Sequence, residues 1–220
     1  EDTIKTFVVE QGSSVRAGGF SYGIVRDLTM RFNRNEITIA GTMLGQAYED
    51  DIEMTATPTA IPMMPILPGD LDVYLDDTAA NIGNTKLTRA FAGEFSLGDR
   101  FGPIWPLNSE IDGFAAHVEQ KPSAQFKLLV EADAAGMGPL TAMRAGSMQY
   151  VRLAATGPNI ADTYNYSFQL DMALIVADVS EFRDEEGVYA IEWTFDIAWD
   201  SAWESGTGMK ATLVNTLTGL

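Results

Sequence analysis

The chain has 220 residues and a mass of 23.9 kDa, 46% hydrophobic and 20% charged, enough to bury about 70% of its unfolded surface around an ordinary core. It contains no Cys and one His, which excludes disulfides, thiolate zinc sites, iron–sulfur clusters, a cysteine nucleophile and any His-rich metal site. Its net charge of −17 is spread over both halves of the chain, which argues against gripping nucleic acid but suits a wall past which nucleic acid slides.

Glu1-Asp2 opens the sequence without a basic or apolar leader, so no secretory signal is expected. A hairpin is predicted where Leu28, Met30 and Phe32 alternate with Thr29 and Arg31, turn through Asn33-Arg34-Asn35-Glu36 and return along Ile37–Ile39. Gly41 to Asp70 fits neither strand nor helix period, and a loop of about 30 residues is too long to be idle in a compact domain. It begins with an acidic knuckle, Glu49-Asp50-Asp51, and continues as an apolar arm with Met63, Met64, Ile66 and Leu67 among Pro58, Pro62, Pro65 and Pro68. Those prolines also exclude a membrane helix.

Short strands are expected at 72–75, 87–96, 117–120, 125–131, 149–155 and 209–216, with a rigid apolar loop at 101–107 that carries Trp105. One helix is predicted at 134–145, with Pro139 near its start and Gly146 after its end. The clearest pattern is a long hairpin of 166–180 and 188–200, joined by an acidic, Gly-ended turn. Its second strand puts Tyr189, Ile191, Trp193, Phe195, Ile197 and Trp199 on one face, both Trp residues being read as core, and Ala190, Glu192, Thr194, Asp196 and Ala198 on the other. One helix beside eight to ten strands predicts a single mainly-β domain, a two-sheet β-sandwich or barrel with a flanking helix.

No constellation points to catalysis. Glu192 and Asp196 are about 13 Å apart at strand rise, too far for a glycosidase pair. The acids from Asp70 to Asp77 lack the ligand spacing and central Gly of an EF-hand. His117 has no nucleophile motif with it, and Gly41 and Gly45 lead into no phosphate loop. Neither an enzyme nor a metal or cofactor is predicted. Charge is instead distributed by segment: Arg16, Arg26, Arg31 and Arg34 face only Asp27 between Ser13 and Asn35, whereas 49–77 holds eight acids and no base. Complementary patches favour head-to-tail contacts that close into rings or run on as filaments, unless the fold pairs them within one subunit.

The segments DVYLDDTAANIGNTKLTR (72–89), LGDRFGPIWPLN (97–108), FKLLVEADAAGM (126–137), RAGS (144–147), RLAATGP (152–158), EEGVYAIEWTF (185–195) and MKATLVNTLTGL (209–220) resemble the tail tube, or major tail, proteins of long-tailed bacteriophages, especially those infecting actinobacteria. The resemblance implies a two-sheet β fold with one helix, assembled as hexameric rings that stack into a hollow tail tube through which the genome leaves the virion. It further implies that sheets of neighbouring subunits join into a continuous inner barrel, with long loops and terminal arms bridging rings. Its partners would be further copies of itself, the tape-measure protein and passing DNA in the lumen, and terminator and baseplate proteins at the ends. The location would be the virion tail, after assembly in the host cytoplasm, with no membrane contact. On this reading Arg26, Arg31, Arg34, Glu49, Asp50, Asp51, Met63, Met64, Ile66, Leu67 and Trp105 are candidates for the subunit interface. Gln169, Asp171, Glu192, Thr194 and Asp196 are candidates for the lumen, although alternation alone does not tell an inner wall from an outer one. The alternative reading is a carbohydrate-binding β-sandwich module using Trp105 and acidic loops.

Overall fold

A computed structural model describes residues 4–61, 64–108, 113–204 and 206–217. The chain is mainly β, 57% strand and 6% helix, with one α-helix, a large antiparallel sheet and a small one. It divides into two compact units, one formed by Glu1–Thr29, Ile39–Pro62 and Ser96–Ser123 and the other by Met30–Thr38, Met63–Phe95 and Ala124–Leu220.

In the second unit, β5 (Leu71–Asp76), β10 (Gln149–Ala161), β11 (Tyr164–Val179), β13 (Val188–Ile197) and β9 (Ser123–Glu131) lie side by side, each antiparallel to the next. Strand β6 (Ala90–Gly98) follows β9, β12 (Arg183–Glu185) pairs with β13, and β14 (Met209–Val214) pairs with β11. One face of this sheet is the core. Phe126 and Leu128 stand opposite Phe195 and Trp193, and the next strands add Val176, Met172, Leu153 and Val73, all buried. The period-2 pattern of β13 thus arises because its odd positions from Ile191 to Phe195 leave water. Phe32, Phe126 and Phe195 form a stacked row, with ring centroids 6.4 and 6.1 Å apart. Gly93 makes that row possible, since a Cβ there would lie 2.3 Å from the Phe32 ring.

Helix α1 (Pro139–Ala145) is shorter than predicted; it has Pro at its first turn and ends on Gly146 in the left-handed conformation, φ 62°. The Trp193 indole donates to the Gly136 carbonyl at 2.8 Å, tying the helix approach to the core face. Tyr189, 75% exposed near the start of β13, and Trp199 depart from the expectation. Strand β13 ends at Ile197, the next residues turn into an Asp200–Thr207 bridge, and Trp199 lies over Gly206, 68% exposed. The acidic connection between β11 and β13 is also more than a turn, because Arg183–Glu185 pairs back on 188–190 as β12.

In the first unit, β1 (Phe7–Gly12) and β4 (Tyr48–Asp50) flank the start of β2 (Ala17–Asn33), which also pairs with β3 (Ile37–Leu44). Strands β1, β4 and the first half of β2 were not anticipated, and the predicted loop at 41–70 is shortened because β3 runs on to Leu44 and β4 follows it. Part of the 101–107 loop is likewise a strand, β7 (Phe101–Ile104), paired with β8 (Ala116–Glu119) in the small sheet. Tyr22, Phe101, Phe114 and His117 pack their rings together there, with the Tyr22 hydroxyl 3.2 Å from His117 Nδ1.

Candidate assembly surface

Strand edges decide how a β protein meets its neighbours, because an edge presents a row of unpaired N–H and C=O groups. Among the described residues β3 pairs only with β2, so its other edge is open. Its sequence, ITIAGTML, has no charge and no proline, the residues that normally protect an edge. Five consecutive residues from Thr38 to Thr42 are exposed, so this strand lies open on both faces, with Ile39 68% exposed. Strands β1 and β4 are similar: all but Val9 of β1 and every residue of β4 are exposed, including Phe7, Val8 and Tyr48. None of these edges shows a sustained buried-and-exposed alternation, which is why periodicity reads most of them as loop.

Each arginine of the predicted basic segment has an acidic partner within the chain, of which only Asp50 belongs to the acidic segment at 49–77. The β2–β4 register places Gly18 opposite Asp50, and this brings Arg16 to Asp50 in a two-pronged contact, with Nε to Oδ1 at 3.1 Å. That guanidinium holds the Asp50 carboxyl below its usual range. Arg26 meets Asp99 at 3.3 Å, Arg31 meets Glu94 at 2.5 Å and Arg34 meets Glu186 at 3.9 Å. The four arginines therefore have acidic partners at home, so the basic side of the expected complementarity is already engaged within one subunit. Glu49 is exposed on β4, and Asp51 turns the chain with φ 63°.

The arm beyond this turn is tied to the first unit at its start, and a local turn closes its far end. Ile52 N–H donates to the Ala17 carbonyl, Thr55 donates to the Glu10 carboxylate from its N–H at 2.9 Å and its hydroxyl at 3.2 Å, and Leu67 N–H donates to Asp70. Along the arm Ile61, Met64, Ile66 and Leu67 are exposed; Met63 lies outside the described residues. Trp105 rests edge-on against buried Phe114, with 66% of its surface open, next to fully exposed Leu107.

The candidate lumen residues separate into two groups. Glu192, Thr194 and Asp196 do share the non-core face of β13; Asp196 accepts from Gln125 Nε2 at 3.2 Å and Glu192 lies 3.9 Å from Arg183. Asp171 does not belong to an open wall. It is 4% exposed and accepts from Arg152 Nε at 2.7 Å and Nη2 at 2.9 Å, while Gln169 Nε2 donates to it at 2.7 Å. The reason is that this stretch of β11 is covered on both sides, by the core below and by the loops carrying Gly83 and Trp203 above. Among the described residues no group of three or more acidic or His side chains is arranged to hold a metal ion.

The second unit carries an open cleft of about 1010 Å³ between β5 and β6, rimmed by the 33–35 turn and the 185–186 turn. Sequence reading missed it because its walls come from four separated segments. No protein-family model matches the chain, and no curated protein matches it either.

Proposed function

We propose that this chain is a structural subunit that self-assembles into stacked rings, forming the hollow tail tube through which a long-tailed phage ejects its genome. The observation that carries the reading is β3, an eight-residue uncharged edge strand exposed on both faces, which a lone soluble protein would have every reason to protect. Edge pairing between copies, closing the two-sheet fold into a continuous inner barrel, removes that liability. Exposed Ile61, Met64, Ile66 and Leu67 give a second contact, suited to bridging rings, and the sequence resemblance supplies the biological setting. The polar face of Glu192, Thr194 and Asp196 is a candidate bore lining for passing DNA, and tape-measure, terminator and baseplate proteins are the partners such a tube requires.

Negative-stain electron microscopy of the purified chain over a concentration series tests this. Hollow tubes or stacked rings are expected. A monomer at every concentration, with binding to glycans instead, would overturn the proposal in favour of a carbohydrate-binding module.

A further inference from the structure

We draw no further inference here: the strongest candidate, the open cleft between β5 and β6 of the second unit, has a floor of buried core side chains and a rim whose charged groups pair with one another, and nothing in the structure shows what fills it.

Discussion

Asp171 sits where β11 is buried through five consecutive residues, Leu170 to Leu174. Leu170, Met172 and Leu174 face the core, while Asp171 and Ala173 face a second layer, in which Arg152 binds the carboxylate and Tyr150 and Trp203 cover the alanine. A carboxylate this deep is tolerated only because Arg152 and Gln169 supply three donors. Asp171→Ala strands the guanidinium in a half-buried site and should cost about 3 kcal/mol, read from urea unfolding of the isolated subunit. Tyr150, on the same face, donates to Asp200 Oδ2 at 2.7 Å; burial, then this hydrogen bond, then the Asp200 charge push its phenol up to about 12. A group whose pKa is raised by folding stabilises fully below its unfolded value of about 10 and loses that contribution as pH climbs through its folded value. Alkaline destabilisation between about pH 10 and 12 should therefore be shallower in Tyr150→Phe than in the parent, a difference that thermal melts across that range would detect.

The β3 edge can be tested without disturbing any core contact, since Ile39 and Thr42 are exposed. Ile39→Lys or Thr42→Lys should leave the melting temperature of the subunit nearly unchanged, because surface substitutions typically stay within about 0.5 kcal/mol. Either should suppress tubes, because a lysine on an open edge opposes strand addition. Normal tubes from both variants would remove β3 from the assembly surface. The same strand shows what a sequence can and cannot convey. Strand β13 and the 28–33 arm of the first hairpin were legible because one face is buried and the other wet, leaving alternation, and the turn after that arm because Asn33 Oδ1 accepts from the N–H groups of Asn35 and Glu36 as turn chemistry predicts. Strands β1, β3 and β4 are wet on both faces, so alternation carries no information there. Trp199 was misread for a related reason: its spacing continues the β13 stripe, but the strand has already ended two residues earlier. The cleft and the Arg152–Asp171 pair depend on strand neighbours distant in sequence, which no local pattern encodes.

At the scale of the whole molecule, the sign of the salt response separates two accounts of assembly. Were complementary patches the driving force, screening would weaken association. Arg16, Arg26, Arg31 and Arg34 are instead engaged with Asp50, Asp99, Glu94 and Glu186 of their own chain, so what one subunit shows another is chiefly its net charge of −17. Bringing several such subunits into a ring is repulsive over roughly 10 Å at about 0.1 M salt and over roughly 30 Å at about 0.01 M. In the assembly proposed above the attraction comes from the uncharged β3 edge and the exposed apolar side chains at 61–67, neither of which salt screens. Raising monovalent salt from about 0.01 to 0.1 M should therefore lower the concentration at which tubes appear, by about tenfold in sedimentation assays. A rise in that concentration would return the arginines to the interface and require their internal pairs to open on assembly.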